Sequence, residues 1–89
     1  MKRYQVRISK KAQKQIKKLQ TTARVEIVLA IKKLADNPRP NGVKKLSGRD
    51  AWRIRSGDFR VIYEIFDDMV MVNVLTVGHR KEVYRLLGR

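Results

Sequence analysis

Cysteine is absent from this sequence, acidic residues are scarce, and a single histidine occurs among the 89 residues. Without cysteine there can be no disulfide and no thiolate chemistry, and a lone His79 argues against a zinc site. A transmembrane segment is not expected, because the longest clean apolar run is only Ile27–Ile31. The apolar run that a secretory signal needs does not follow Met1-Lys2-Arg3. We therefore expect a cytoplasmic protein that uses no metal and no cofactor.

Positive charge is in large excess: 22 lysines and arginines stand against 8 acidic residues, which gives a formal net charge of +14. Mutual repulsion at this charge disfavours the folded state, so a polyanionic partner is the simplest explanation. Nucleic acid is the first candidate, an acidic protein the second and an anionic membrane surface the third. The length and the 43% hydrophobic content are typical of one domain, residues 1–89, with a modest core.

The first half of the chain predicts one strand followed by two helices. Residues 3–8 alternate between polar and apolar, which is typical of a half-buried strand. Ser9 is suited to cap a helix over residues 10–20, and a second helix is predicted from Thr22 to Ala35. The apolar belt of this second helix is broad, which favours burial on two sides. Alternatively, a strip of it stays exposed and receives a helix of a partner.

The second half of the chain predicts a β-meander. Its strands are Trp52–Arg55, Phe59–Phe66 and Val70–Val77, joined by two tight turns. Val43–Leu46 is either a short strand or an extended lead-in, and a short helix is expected from about Lys81. The order β-α-α-β-β-β(-α) indicates an α+β fold, with an antiparallel sheet and the N-terminal helical hairpin packed on one face.

Lysines cover the polar face of the first predicted helix, and two more precede the meander. Each pair of like charges four residues apart on a helix, such as Lys10 and Lys14, lowers the stability of the helix by about 0.2–0.5 kcal/mol. These lysines form either a solvated surface or one that docks RNA or an acidic partner. The lysines that we predict to contact RNA are Lys10, Lys14, Lys17, Lys18, Lys44 and Lys45.

Further cationic side chains gather around the meander. Arg53 and Arg55 are two residues apart, so they project from one face of a strand. Antiparallel pairing would bring them close to an arginine after the first turn and to a histidine and an arginine after the last strand. The resulting candidates are Arg53, Arg55, Arg60, His79, Arg80 and Tyr84.

This set of residues suits chemistry on a phosphodiester. A guanidinium group can donate two parallel hydrogen bonds to two oxygens of a phosphate, and it stabilises the charge that develops on a pentacoordinate phosphorus. RNA can be cut without a metal because its own 2′-OH can attack in line. His79 is a candidate for proton transfer, since histidine gains and loses its proton near neutral pH, and Tyr84 can stack on a base. The alternative is a basic strand that binds nucleic acid without chemistry, with His79 an ordinary surface residue.

Two motifs of the chain resemble a known family. The run Trp52–Glu64, WRIRSGDFRVIYE, resembles the signature of the RelE/ParE superfamily of toxins from type II toxin–antitoxin modules. The ending Val77–Tyr84, VGHRKEVY, is similar to its RelE branch in particular, and Pro38 and Lys45–Gly48 also fit. The resemblance spans essentially the whole chain. It implies the family's antiparallel sheet with an N-terminal helical pair, in agreement with the predicted order.

The resemblance also implies an activity, that of a ribosome-dependent mRNA endoribonuclease. Such toxins cut the A-site codon by 2′-OH attack and leave a 2′,3′-cyclic phosphate and a 5′-OH. By position, Arg60 matches the phosphate-binding arginine and Arg80 the arginine linked to protonation of the leaving group. Tyr84 matches the tyrosine that orients the scissile nucleotide, and the lysines would contact ribosomal RNA through its backbone.

Arg53 and Arg55 match two basic strand residues that are often lysine in the family. A lysine in the place of Arg55 could serve as a general base, whereas an arginine stays charged. We therefore expect Arg55 to stabilise the transition state. His79, or a group on the ribosome, is then the candidate base.

The resemblance implies an acidic, partly disordered antitoxin that wraps the basic surface and folds on binding. The other expected partners are the ribosome and its mRNA, with operator DNA bound only through the antitoxin complex and no membrane. One alternative is a ParE-like toxin that inhibits DNA gyrase and performs no chemistry, for which the arginine and tyrosine set would be unnecessary. Another is a basic RNA-binding domain or an inactive relic, whose overexpression would be harmless.

Overall fold

Two helices and five strands make up the part of the chain that the computed structural model describes, residues 3–48 and 50–83. In chain order they are β1 (Gln5–Ile8), α1 (Lys10–Lys17), α2 (Thr21–Lys33), β2 (Lys44–Lys45), β3 (Trp52–Ser56), β4 (Phe59–Phe66) and β5 (Met71–His79), with a short 3-10 turn at Asp67–Met69. The predicted order and the α+β class are confirmed. For Val43–Leu46, the interpretation as a short strand is the correct one. Beyond residue 83, the helix predicted from Lys81 lies outside the described residues.

The sheet has the strand order β1-β5-β4-β3-β2. β3, β4 and β5 form the predicted antiparallel meander, and β2 pairs with the outer edge of β3. β1 pairs with β5 in parallel, from Gln5 opposite Met71 to Ile8 opposite Val74. The sheet is therefore mixed, where we expected antiparallel pairs throughout. The reason is that periodicity indicates which residues form strands but not which strands pair. α1 and α2 carry the chain from β1 to the opposite edge of the sheet, and the strands that follow return to β5, which lies parallel to β1.

α1 begins at the predicted N-cap. The Ser9 hydroxyl accepts a hydrogen bond from the amide of Ala12 at 3.0 Å and donates one to the carbonyl of Leu75 at 2.9 Å. One side chain thereby caps the helix and ties its first turn to β5. Ala12 and Ile16, about one turn apart, are buried, and the helix ends at Lys17, before the predicted limit at residue 20.

α2 buries one side rather than two. Ile27 and Ile31 pack with sheet residues such as Val61 in the main core. Val25 and Leu29, by contrast, are 51% and 53% exposed. A helix that lies on a sheet turns one side toward it, and α1 packs mainly against β5, so part of the broad apolar belt is left uncovered. Neither helix in the described ranges is long and apolar enough to cross a membrane.

The sheet face opposite the helices, which we call the far side, carries a smaller apolar cluster. Ile62 of β4 packs there with Ala51 and Val83, and all three are buried. Because Val83 follows β5, the chain folds back across the far side after its last strand. The far side is therefore partly apolar and, as described next, partly cationic.

Candidate active site

The β3–β4 hairpin brings three of the predicted arginines to the far side of the sheet. Arg55 lies directly opposite Arg60. Ile54 and Val61 are also opposite each other, and both are buried among the residues that pack against the helices. Side chains alternate along a strand, so Arg53, Arg55 and Arg60 share the far side. We call these three residues the arginine face.

A two-residue turn sets the register of the hairpin. Gly57 has a φ of +59°, in the left-handed region that glycine occupies without strain. Asp58 is the second turn residue, and its backbone carbonyl accepts a hydrogen bond from the amide of Arg80 at 2.8 Å. The turn therefore holds Arg80, which is exposed, at the same end of the sheet as Arg55 and Arg60.

Arg55 and Arg60 are like charges in directly opposed positions, an arrangement that destabilises a sheet. Arg60 is only 9% exposed, which is uncommon for arginine, and its Nη1 donates a hydrogen bond to the carbonyl of Phe59 at 3.2 Å. Arg55 is exposed. An anion bound beside the pair would offset the repulsion, with a fixed guanidinium on one strand and an accessible one on the other.

His79 lies at the same end of the sheet but on its helix side. It pairs with Phe59, and the two rings meet edge to face with 5.9 Å between their centroids. Phe59 packs against the main core, so His79 does not share the arginine face. Its Nδ1 accepts a hydrogen bond from the amide of Lys81 at 3.3 Å. That contact favours the tautomer in which Nε2 carries the proton, so Nε2 is a hydrogen-bond donor.

A bulge in β5 explains the position of His79. Tyr63 pairs with Val74, but the adjacent Ile62 pairs with Thr76, so β5 contains one extra residue at this point. Simple alternation from Val74 would put His79 on the far side. A one-residue shift reverses the faces of every later residue, and His79 moves to the helix side.

The predicted lysines divide between two surfaces. Lys44 pairs with Arg53 across β2 and β3, so it extends the arginine face. Lys45 lies on the other side, with its Nζ 5.8 Å from the centroid of the Trp52 ring and 3.7 Å from Oδ1 of Asp50. The lysines of α1 and of its C-cap are exposed on the helix layer, away from the arginines: Lys10, Lys14, Lys17 and Lys18. Their role in RNA binding stays a prediction.

A cleft of about 440 Å³ opens beside Arg55, and sequence reasoning did not predict it. Its walls come from the end of α2, the loop that follows and the edge of β3, with the lining residues Ala30, Lys33, Pro40, Asn41, Gly42, Ile54 and Arg55. The pairing of β2 with β3 ends at Arg53, which leaves this part of the edge uncovered by β2. The Asn41-Gly42 turn, where Gly42 has a φ of +86°, was the one local signal of the bend that forms the cleft wall.

This end of the sheet can bind a phosphate and stabilise negative charge that develops on it. Arg55 and Arg60 are held by the hairpin, and Arg80 is tied to the turn between them. Tyr84 lies outside the described residues. The predicted roles of the individual side chains stay predictions, and the hydrogen bond accepted by Nδ1 of His79 favours a donor over a base.

Comparison with known proteins identifies the family. Residues 6–84 match the family of the ParE toxin of type II toxin–antitoxin systems, parDE. The chain is 32% identical over 88 residues to a RelE-like toxin protein of Escherichia coli, covering 94% of this chain and 93% of that protein. It is 31% identical over 85 residues to the mRNA interferase toxin RelE of Escherichia coli, covering 91% and 90%.

A solved structure agrees with these relatives. The toxin–antitoxin complex RelBE2 of Mycobacterium tuberculosis matches with a TM-score of 0.79 and 29% identity, over 90% of this chain and 94% of that chain. The chain therefore belongs to the RelE/ParE superfamily of type II toxins, and its similarity to RelE proteins places it in the RelE branch. The predicted family and the predicted α+β fold are both confirmed.

Proposed function

We propose that this chain is the toxin of a type II toxin–antitoxin module and a ribosome-dependent endoribonuclease that cuts mRNA in the A-site codon. The observation that carries the proposal is the Arg55–Arg60 pair, with Arg80 tied to the same hairpin turn. A phosphodiester bound beside two directly opposed guanidinium groups would offset their repulsion. The relative named mRNA interferase toxin RelE supports mRNA as the substrate.

The reaction that we propose uses the nucleophile of the RNA itself. The 2′-OH attacks the adjacent phosphorus in line, the O2′–P bond forms, and the P–O5′ bond breaks. The products are a 2′,3′-cyclic phosphate and a 5′-OH, so the proton lost from the 2′-OH is balanced by one gained at the leaving O5′. Arg55 and Arg60 stabilise the extra negative charge on the phosphoryl oxygens, and Arg80 acts at the leaving-group side.

The general base has to take the proton of the attacking 2′-OH. Arg55 stays charged and cannot accept the proton. The contact between the amide of Lys81 and Nδ1 of His79 favours a protonated Nε2, so His79 is better suited to donate a hydrogen bond than to accept the proton. A base on the ribosome is therefore the better-supported choice, and it would account for dependence on the ribosome.

The partners that we propose follow from charge. The net charge of +14 and the exposed lysines of α1 favour a salt-sensitive attraction to ribosomal RNA in the cytoplasm. An acidic antitoxin would neutralise the same charge, and the toxin–antitoxin complex of the Mycobacterium tuberculosis relative supports such a partner. Operator DNA would be bound only through that complex.

Primer extension on a defined mRNA, in a reconstituted translation reaction with and without ribosomes, tests the proposal. We expect cuts inside A-site codons only when ribosomes are present. Arg80→Ala should slow the cleavage step about 100-fold to 1,000-fold, as loss of a transition-state contact does. Arg7→Ala is the matched control, because Arg7 is an exposed arginine on β1, away from the hairpin. Intact mRNA under active translation would reject the nuclease assignment.

The second candidate function is inhibition of DNA gyrase, and the match of residues 6–84 to the ParE toxin family favours it. A supercoiling assay separates the two functions. Supercoiling blocked while translation continues would support the gyrase function. It would also leave the arginine face as a binding surface without chemistry.

A further inference from the structure

Gln15 of α1 reaches β5 beside its bulge. The Oε1 of Gln15 accepts a hydrogen bond from the amide of Val77 at 2.7 Å and another from the hydroxyl of Thr76 at 3.1 Å. Thr76 and Val77 are 0% and 2% exposed, and Gln15 itself is half-buried. A donor in a buried residue needs an acceptor, and one side-chain oxygen of α1 serves two such donors.

The contact lies where β5 extends beyond its parallel neighbour. The pairing of β1 with β5 ends at Val74, whereas β5 runs on to His79. α1 begins after Ser9, whose hydroxyl donates a hydrogen bond to the carbonyl of Leu75 at 2.9 Å. Side chains from the start of the helix layer therefore continue the bonding of β5 on the side where β1 has ended. Ser9 also caps α1, so Gln15 is the better residue with which to test these contacts.

The residues that α1 contacts are also those in which the register of β5 shifts by one: Leu75, Thr76 and Val77. A regular register and a bulged register differ in which side chains face each side of the sheet. Because the acceptor of Gln15 is held on a helix, it favours the register that brings the amide of Val77 to it. The side chain of Gln15 thereby stabilises the bulge.

The bulge decides which residue stands beside Arg60. Gly78 lies opposite Arg60 in the structure. In a regular register counted from Tyr63 opposite Val74, Val77 would take that place. Its side chain would then project on the far side, next to the guanidinium of Arg60. The bulge thus leaves the cross-strand neighbour of Arg60 without a side chain, on the face where we propose that the phosphate binds.

We propose that Gln15 is a positioning residue of the candidate active site and that it acts through the register of β5. By stabilising the bulge, Gln15 keeps Gly78 opposite Arg60. It also keeps Arg80 at the hairpin turn, where the amide of Arg80 donates to the carbonyl of Asp58. The role in cleavage rests on the function proposed above, whereas the effect on the register rests on the hydrogen bonds of Gln15.

Two substitutions separate the acceptor from the length of the side chain. Gln15→Met keeps the length and removes the acceptor, whereas Gln15→Glu keeps an oxygen that can accept both hydrogen bonds. In single-turnover cleavage at saturating ribosomes, Gln15→Met should lower the rate about 10-fold to 100-fold, as a small displacement of the reacting groups does. Gln15→Glu should recover most of that rate. The ribosome concentration that gives half of the maximal rate should be the same in Gln15→Met and the wild type, because the exposed lysines of α1 are unchanged.

Two control variants define the effects of the helix surface and of stability. Gln13→Met makes the same change on the same helix, but the amide of Gln13 donates to the carbonyl of Ile8, so cleavage should keep its wild-type rate. Tyr63→Phe removes a buried hydroxyl that donates to the carbonyl of Pro38, so it measures what a loss of stability alone does to cleavage. If Tyr63→Phe is as slow as Gln15→Met, or if Gln15→Glu recovers nothing, the proposal is overturned.

Amide signals in a ¹H–¹⁵N correlation spectrum report the register without RNA or ribosomes. Gln15→Met should shift the signals of residues 75–80 and speed up hydrogen exchange at Val77, because that amide loses its acceptor. The nuclear Overhauser contact between the backbones of Arg60 and Gly78 should weaken at the same time. Gln13→Met should leave these signals in place. Signals of residues 75–80 that stay at their wild-type positions in Gln15→Met would overturn the proposal.

The spectra and the cleavage assay together separate this inference from the proposed function. A wild type that cuts no mRNA would lose the nuclease assignment, and disturbed β5 signals in Gln15→Met would still support the effect on the register. Equal cleavage rates in the wild type and Gln15→Met would reject the positioning role alone. Slow cleavage by Gln15→Met with undisturbed signals would also reject it, since Gln15 would then act by a route other than β5.

Discussion

The two ends of the sheet place their arginines in opposite surroundings. At the end where β4 meets the 3-10 turn, Arg39 donates hydrogen bonds to both carboxylate oxygens of Asp67, at 3.2 and 2.8 Å, and its guanidinium lies 5.0 Å from the centroid of the Trp52 ring. At the hairpin end, Arg55 has another arginine, Arg60, as its cross-strand neighbour. The first arrangement is an ion pair that supports the fold, whereas the second places two like charges directly opposite each other.

The end with the Arg39–Asp67 ion pair, which we call the paired end, also links distant parts of the chain. Tyr4 donates its hydroxyl to Asp67 at 2.7 Å, and this contact raises the pKa of Tyr4. Asp67 likewise raises the pKa of Arg39. Nearby, the buried Tyr63 donates its hydroxyl to the carbonyl of Pro38 at 2.6 Å. This end therefore holds β1 and the loop after α2 against the sheet, at a distance from the hairpin where we propose the chemistry.

The largest effect that we predict comes from replacing the arginine pair at the hairpin end with an ion pair of the kind found at the paired end. Arg55→Glu would set a carboxylate opposite Arg60, and the free energy of unfolding should rise by about 0.2–1 kcal/mol. Cleavage should fall about 100-fold to 1,000-fold, because a charge that stabilises the transition state is reversed. Arg55→Gln is the control: it should lose activity without the full gain in stability. Urea unfolding measures the free energy of unfolding, and single-turnover cleavage measures the rate. An Arg55→Glu variant that keeps its activity would contradict the proposed contrast between the two ends of the sheet.

Removing the buried hydroxyl at the paired end should lower stability and leave cleavage unchanged. Tyr63→Phe leaves the carbonyl of Pro38 without its donor, so the free energy of unfolding should fall by about 1–3 kcal/mol. Ribosome-dependent cleavage should be unchanged, since Tyr63 faces the helices. A large loss of activity in a folded Tyr63→Phe protein would show that the two ends are coupled.

The same tyrosine predicts how stability depends on pH. Burial raises the pKa of Tyr63 above its ordinary value of 10.0, because the phenolate would lose its hydration. The folded state therefore binds this proton more tightly than the unfolded state. The stabilisation is complete below pH 10 and is lost as the pH rises above it. Urea unfolding on both sides of that pH should show a decline in the wild type that is shallower in Tyr63→Phe, and parallel curves would contradict the burial of the hydroxyl.

The smallest effect should come from the ion pair that faces solvent. Asp67→Asn weakens the bond to Arg39, and both side chains are partly exposed, at 56% and 41%. Solvent screening limits the loss of unfolding free energy to about 0.2–1 kcal/mol. Added salt should reduce the difference in unfolding free energy between the wild type and Asp67→Asn. A difference that persists in high salt would mean that the hydrogen bonds at Asp67 matter more than its charge.

Local signals in the sequence predicted much of the fold and part of the site. Ser9 caps α1 as expected from its position before a helical pattern. The spacing of Arg53 and Arg55 and the short Gly57-Asp58 turn were enough to predict that the arginines share a face, because alternation and turn length act over a few residues. The motif Trp52–Glu64 and the ending Val77–Tyr84 indicated the family, which the comparisons confirm.

By itself, the sequence determined the elements, the arginine face and the excess of positive charge, since each depends on residues close together in the chain. Only the tertiary structure decided the parallel pairing of β1 with β5, the bulge that moves His79 to the helix side and the exposure of Val25 and Leu29. These features depend on which surfaces meet. A one-residue shift in register or a change in how a helix lies on the sheet alters them without changing any local pattern.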